Sequence, residues 1–316
     1  MTEAPRKEGT RDRYGKTLAK LAAKDRNVVA MDCDLGRSTR SYDIYAVDPQ
    51  RFFEMGIAEQ DMVSTAAGMA AMGKVVFANT FSVFLTGRAF DQIRQQIALP
   101  LSNVKLCGSS AGLTIGADGS THQSIVDVAL MRVLPNMTIL VPGDGNQTEQ
   151  AVMAAYEYKG PVYIRLSRYE TLNYLPVGIP FKIGEAQVLK EGKKVVFASY
   201  GPVLQNVVFA AELLERRGLD VGIVNFHTLK PLDGRMVETL ATEYSHIVSV
   251  DEHSVFGGLG TAIGECLAEY ASPGPKAILH RVGIQDKFGE SGSADELLAK
   301  HGMDPEGLAA YVLGLI

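Results

Sequence analysis

Apolar positions along the chain fall into two patterns that take turns. Short uninterrupted runs such as Val28-Val29-Ala30-Met31 read as strands buried on both faces, and between them apolar residues recur three and four apart, as at Tyr14, Leu18, Leu21 and Ala22, which is one face of a helix. The first half then reads as helix 11–24, strand 27–32, short strand 51–55, helix 57–72, strand 74–78 and amphipathic helix 86–99. Strand 103–107, a glycine-punctuated loop 111–123, strand 137–141, helix 147–158 and strand 162–166 follow. Beyond residue 192 the strands are 195–199, 220–225, 246–251 and 277–282, with helical stretches such as 203–217 and 259–270 between them. This alternation predicts an α/β fold of two doubly wound parallel-sheet domains with right-handed crossovers. The expected boundaries are residues 1–175 and 193–316. The segment 176–192, with Pro176, Pro180 and several glycines but no periodicity, is the expected linker.

One helix does not follow the amphipathic rule. From Ile57 to Met72 most side chains are Ala, Met, Val, Ser or Thr, and small residues on nearly all faces mark a helix buried all round. Glu59 opens it. A carboxylate in a first turn gains from the helix dipole, but a buried one needs a partner. No Lys or Arg lies between Glu59 and Gly73, so that partner is distant in sequence or is not protein. Capping alone also explains a glutamate in a first turn.

Two further stretches sit where open α/β sheets hold ligands, at carboxyl ends of strands. Cys33-Asp34-Leu35-Gly36-Arg37-Ser38 follows the first strand, and Gly112 to Gln123 follows strand 103–107. Glycines there bring backbone amides close to a ligand. Taken alone, Asp34 and Ser38 are equally well turn caps, and His122 a hydrogen-bonded loop residue.

Composition narrows the partners. The net charge of -5 over 316 residues argues against nucleic acid, which favours a basic face. No run approaches the about 20 apolar residues of a membrane span, and the polar first 14 residues show no secretory signal. Cys33, Cys107 and Cys266 are three, widely spaced and in apolar surroundings. They read as reduced core thiols of a cytoplasmic protein without metal-ligand spacing.

The run from Gly56 to Gln123 resembles the pyrimidine-binding domain of transketolases and deoxyxylulose-phosphate synthases, and the second half resembles the transketolase C-terminal domain. Gly116-Ala117-Asp118-Gly119-x-Thr121-His122-Gln123 matches the synthases closely and, from Asp118, the transketolases. The resemblance implies thiamine diphosphate as cofactor, with Glu59 sharing a proton with its pyrimidine N1′ and Phe81 and Phe84 packing on the ring. It implies that Asp34 borders the cofactor and that His122 handles protons at the donor carbonyl. Asp118 then reads sugar hydroxyls, while Ser38 and Arg168 bind substrate phosphate. Arg11 falls on another phosphate-contacting arginine by a looser alignment. Gly108-Ser109-Ser110 departs from the pattern, since transketolases carry a His near there and the synthases an Asp-Arg pair.

Relatives place a diphosphate-binding domain with Mg²⁺ ligands ahead of these two. Its signature is Gly-Asp-Gly with a later Asn-Asn. Gly143-Asp144-Gly145 has no Asn-Asn after it and reads as a turn and helix cap. The expected protein is therefore the C-terminal subunit of a split transketolase. It would carry out two-carbon ketol transfer from a ketose phosphate to an aldose phosphate, with Mg²⁺ held by a separate N-terminal subunit. Two copies of the chain would form a homodimer core within an α₂β₂ heterotetramer. The alternatives are a 2-oxo acid dehydrogenase beta subunit, an enzyme like the deoxyxylulose-phosphate synthases, and a non-catalytic oligomerisation subunit. His227 and His253 are expected to be structural.

Overall fold

The computed structural model describes residues 7–177, 181–270 and 276–316. The strands in chain order are β1 (Lys7–Gly9), β2 (Val28–Asp32), β3 (Phe52–Glu54), β4 (Val75–Phe81), β5 (Val104–Ser109), β6 (Thr138–Leu140), β7 (Val162–Arg165) and β8 (Glu170–Leu172). After them come β9 (Gln187–Lys190), β10 (Val195–Ser199), β11 (Gly222–Asn225), β12 (Thr228–Lys230), β13 (His246–Ser254) and β14 (Ile278–Ile284). They form a seven-stranded sheet ordered β12-β6-β7-β5-β4-β2-β3, a five-stranded sheet ordered β14-β13-β10-β11-β9, and a β1-β8 ribbon. The ladders inside both main sheets are parallel, and only the edge strands β12 and β9 run antiparallel. The α/β reading with two doubly wound sheets is thus the observed architecture.

Central strands are uniformly buried. β2, β4, β5 and β10 have no exposed residue, as expected of parallel strands covered by helices on both faces. The parallel strand order reverses between β2 and β4 in the first sheet and between β10 and β13 in the second. Ligand crevices form at such reversals, outside the carboxyl ends of the strands. The two halves share their core. β12, which follows β11 in sequence, leaves its own sheet and pairs with β6 of the other, and one apolar cluster joins Val76 and Ile139 to Val196 and Ile247.

Three segments differ from the sequence reading. The expected helix 86–99 is a helix Ser82–Arg88, a turn Phe90–Gln92 and a π-helical turn Ile93–Ala98. The wider turn, closed by Leu99 N–H on the Arg94 carbonyl, keeps Ile93, Ile97 and Ala98 all inward, which a 3.6-residue repeat would not. The expected linker 176–192 contains β9, an edge strand whose residues are only half-buried, so no apolar run announces it. Residues 178–180 of that segment lie outside the described residues. The ribbon β1-β8 ties the start of the chain to the segment after β7. Cys33 and Cys107 are buried free thiols, pushed up to about 12 by burial, and Cys266 is a half-buried one. Among the described residues no helix is long and apolar enough to cross a membrane.

Candidate active site

The first strand reversal is built by two strand-end carboxylates, buried Asp32 and exposed Glu54, that fold the loops around it. Asp32, ending β2, accepts from Leu35 N–H at 2.7 Å, Thr39 Oγ1 at 2.6 Å and Ser41 Oγ at 2.7 Å. Burial pushes its carboxyl up to about 6. Glu54, ending β3, accepts from Asp34 N–H at 2.7 Å and Gly56 N–H at 3.0 Å. These bonds fix both turns, with Asp34 at φ 62° and Gly56 at φ 68°. Gly56 then feeds the helix Glu59–Ala71.

Glu59 is 4% exposed in the first turn of that helix. Its partner is Arg88, whose guanidinium donates to Glu59 Oε1 at 2.8 Å and lies 4.2 Å over the Phe84 ring. Gln60 Nε2 holds the Arg88 carbonyl at 2.9 Å. The sequence carried one signal for Arg88, its position four residues after Phe84 on one helix face. Residues 57–61 and Arg88 line a cleft of about 470 Å³.

Phe81 ends β4 and Phe84 lies three residues on, so both rings project from the same side of the helix start. Their centroids are 6.0 Å apart at 20°. His122 stands edge-on to both, at 6.3 Å and 5.2 Å, with Nδ1 2.9 Å from Thr121 Oγ1. Glu59, Phe84, Arg88 and His122 therefore form one continuous group.

A second group gathers Arg11, Ser38, Asp118 and Arg168. Arg11 donates to the Ser38 carbonyl at 3.0 Å and to Ser38 Oγ at 3.2 Å. Arg168 pairs with Asp118 at 2.9 Å and also donates to the Ile115 carbonyl. Arg11, residues 114–117 and Arg168 line a cleft of about 590 Å³. Arg11 Nε is buried with no partner, and burial, with Arg40 and Arg168 nearby, holds this guanidinium below the usual arginine range. Arg168 has the Asp118 carboxylate, and the unpaired donor facing this cleft is Arg11 Nε, which an anion would satisfy. Asp34 belongs to neither group: its carboxylate is exposed and makes no hydrogen bond among the described residues.

Gly108 has a physical reason. A Cβ there would stand 2.5 Å from Tyr163 Oη and 2.6 Å from Ser82 Oγ, which hydrogen-bond to each other at 2.9 Å. Tyr163 in turn donates to Asp127 at 2.7 Å, and Arg165 donates to the same carboxylate at 2.8 Å. Burial alone would push Asp127 up, but Arg165 holds it below the usual carboxylate range. The hydroxyls of Ser109 and Ser110 are buried without partners.

Other polar residues are structural. Asp144 caps the helix Gly145–Glu157 through Gln147 N–H at 2.8 Å and accepts from Tyr174 and Leu175 N–H, both at 2.8 Å. His253 is pushed down to about 4 by burial, between Ala129 N–H and the Ser254 carbonyl. His227, also at about 4 through burial, stacks on Phe181 at 4.1 Å. Among the described residues no three His, Cys, Asp or Glu side chains are grouped to hold a metal ion.

Comparison with known proteins agrees with this geometry in span and order. Residues 7–172 match the family model "Transketolase, pyrimidine binding domain", and residues 184–308 match "Transketolase, C-terminal domain". A putative transketolase C-terminal section from Methanocaldococcus jannaschii is 39% identical over 97% of this chain and 96% of its own length. One of the subunits of an apulose-4-phosphate transketolase from Phocaeicola vulgatus is 34% identical over 97% of each chain. The solved structure titled "Split gene transketolase, inactive beta4 tetramer" superposes with a TM-score of 0.88 at 41% identity, covering 97% of this chain and 98% of that one. With both halves matched by name and whole relatives matched end to end, the chain belongs to the transketolase family.

Proposed function

We propose that this chain is the pyrimidine-binding, C-terminal subunit of a split transketolase that moves a two-carbon ketol unit from a ketose phosphate to an aldose phosphate. The carrying observation is the Arg88 guanidinium. A flat cation lies on the Phe84 face and hydrogen-bonds Glu59, and a protonatable aminopyrimidine asks for those same two contacts. The residues present thus fit thiamine diphosphate. When bound, that cofactor supplies a nucleophilic carbon that breaks and re-forms a C–C bond beside a carbonyl.

Each side chain then has a task. Glu59 holds the pyrimidine nitrogen and shares its proton, Phe81 and Phe84 seat the ring, and Asp34 borders it from the turn after β2. His122, edge-on to both rings, moves a proton at the sugar carbonyl oxygen. Asp118 binds sugar hydroxyls, while Arg11, Ser38 and Arg168 take the phosphate, relieving the unpaired Arg11 Nε.

Mg²⁺ and the diphosphate belong to a separate N-terminal subunit in this reading. Support comes from relatives of the same span that are named as a C-terminal section and as a subunit, and from Ile57, 75% exposed beside the Glu59 cleft. Two copies form the homodimer core of an α₂β₂ assembly. The solved relative titled a beta4 tetramer supports self-association, and its title calls it inactive.

Calorimetry and assay test this together. The chain alone should bind thiamine diphosphate weakly or not at all. With a diphosphate-binding partner it should bind at micromolar levels with Mg²⁺ and transfer ketol units between sugar phosphates. Micromolar Mg²⁺-dependent binding by the chain alone, or a loaded complex inert on all ketose and aldose phosphates, would overturn the proposal.

A further inference from the structure

We infer that Glu252, a residue of the second sheet, is a positioning residue for the glycine-rich loop that carries Asp118 and His122. The role in turnover rests on the function proposed above, while the contact itself is independent of it. Glu252 lies near the carboxyl end of β13 and is 2% exposed. Its carboxylate crosses the junction between the two halves and accepts the Thr114 N–H at 2.5 Å. Arg165, the cation beside it, is engaged elsewhere: its guanidinium grips the Asp127 carboxylate, and on Glu252 it reaches only the main-chain carbonyl, at 3.0 Å. The loop backbone is therefore what the Glu252 carboxylate holds.

The loop is shaped to receive it. Gly112 has φ 79°, and a Cβ there would stand 2.2 Å from Glu252 Oε1. The bare glycine is the opening through which the carboxylate reaches Thr114. Downstream, Gly116 at φ 78° and Gly119 at φ 76° kink the segment, and a chain with so many permissive positions has little stiffness of its own. Its far end is held by the same half of the molecule, since Gln123 Nε2 donates to the Glu290 carbonyl at 2.8 Å.

Between these two anchors the loop forms a wall of the Arg11–Arg168 cleft. A buried carboxylate is costly unless its donors are fixed, and a reacting constellation loses rate when displaced by an ångström. Glu252 meets both conditions through its bonds to Thr114 and the Leu113 N–H. The second half of the chain thus sets the geometry of a loop in the first.

The test uses Glu252→Ala and Glu252→Gln in the full chain. In the chain alone, amide hydrogen exchange of residues 111–123 should quicken at least tenfold in the Ala variant. It should stay within about threefold of wild type in the Gln variant, whose amide oxygen still accepts, and β13 residues 246–250 should be unchanged in both. Gly112→Ala, which pushes the carboxylate away from the other side, should reproduce the Ala result, so the inference survives a poorly folding Glu252 variant.

In the complex with the diphosphate-binding subunit, Glu252→Ala should lower kcat/KM for a ketose phosphate about 10- to 100-fold with thiamine diphosphate affinity unchanged. Glu252→Gln should restore most of the loss. Loop exchange equal in wild type and Ala variant would overturn the inference, as would an equal loss in Ala and Gln variants. If the wild-type complex transfers no ketol units, the functional proposal fails and the exchange comparison alone decides the Glu252 contact.

Discussion

The strand-order reversals at β2/β4 and at β10/β13 both carry carboxylates, yet the two places have opposite characters. At the first, Glu59 is held by Arg88, whose side chain is half-exposed, and faces an open cleft. At the second, the carboxyl end of β13 is sealed by the other half of the molecule: Glu252 holds Thr114, His253 meets Ala129 N–H, and Ser254 N–H donates to the Ile125 carbonyl. Asp251 beside them is pushed up to about 7 by burial and accepts from Leu259 N–H. Topology alone therefore does not make a site. A carboxylate with a displaceable partner beside open space is available for chemistry, and one whose every partner is fixed backbone or buried cation is a fastener.

Breaking the fastener should cost the most. Arg165→Met leaves Asp127 charged and buried beside Tyr163 and removes the donor to the Glu252 carbonyl. Breaking one side of a buried pair typically costs about 3–5 kcal/mol, which for a chain of this size lowers Tm by roughly 6–10 °C. Differential scanning calorimetry checks it. A Tm within a degree of wild type would make the second reversal as slack as the first.

Glu59→Gln should do the reverse. The amide keeps the size of the carboxylate but cannot share a proton with the pyrimidine nitrogen, and general acid–base roles are worth about 10²–10⁴ in rate. In the complex, ketol transfer and cofactor C2 proton exchange should both fall at least 100-fold while Tm stays within about 2 °C. A large loss of stability with little loss of rate would invert the contrast.

Much of this was legible in the chain and some was not, for reasons that follow from distance. Val28 to Asp32 and Val195 to Ser199 are read as strands because a parallel strand buried on both faces is a bare apolar run. Edge strands escape: β9 is half-buried, and β12 is three residues that pair across to the other half. The π-helical turn at Ile93–Ala98 hides because Ile93 and Ile97, four apart, fit a regular helix, and Ala98 alone is too small a signal to reveal the wider turn. Of the expected site residues, Phe81, Phe84, His122 and Glu59 converge, as do Arg11, Ser38, Asp118 and Arg168, while Asp34 stands apart on its turn. Glu252 left no local trace, because its partner Thr114 is 138 residues away.

A smaller effect separates the two groups within the first reversal. Arg168→Ala removes a guanidinium from the cleft shared with Arg11 and frees Asp118, and leaves the Glu59 group untouched. A charge-assisted contact is worth about 1.5–3 kcal/mol, so kcat/KM for phosphorylated sugars should fall about 10- to 100-fold, carried by KM. Unphosphorylated sugars should lose less than about threefold. Equal losses on both kinds of sugar would make Arg168 a brace for the loop through the Ile115 carbonyl.

The smallest expected effect concerns the partner that makes Glu59 available. If the Arg88 guanidinium occupies the place of the pyrimidine, binding the cofactor requires it to leave both the Phe84 face and the Glu59 carboxylate. That exchange costs an ion pair between half-exposed Arg88 and buried Glu59, about 0.2–1 kcal/mol if weighed as a surface pair, and a cation–π contact of about 0.5–1 kcal/mol at a half-exposed position. Arg88→Ala removes both competitors and leaves Glu59 in the first turn, still favoured there by the helix dipole. Thiamine diphosphate should therefore bind the variant complex about three- to thirtyfold more tightly, and the gain should shrink at high salt, where the ion pair is already screened. Titration calorimetry at low and high salt reads both. Weaker binding in the variant would mean that Arg88 stays and contacts the cofactor, which would make the first reversal a fixed arrangement like the second.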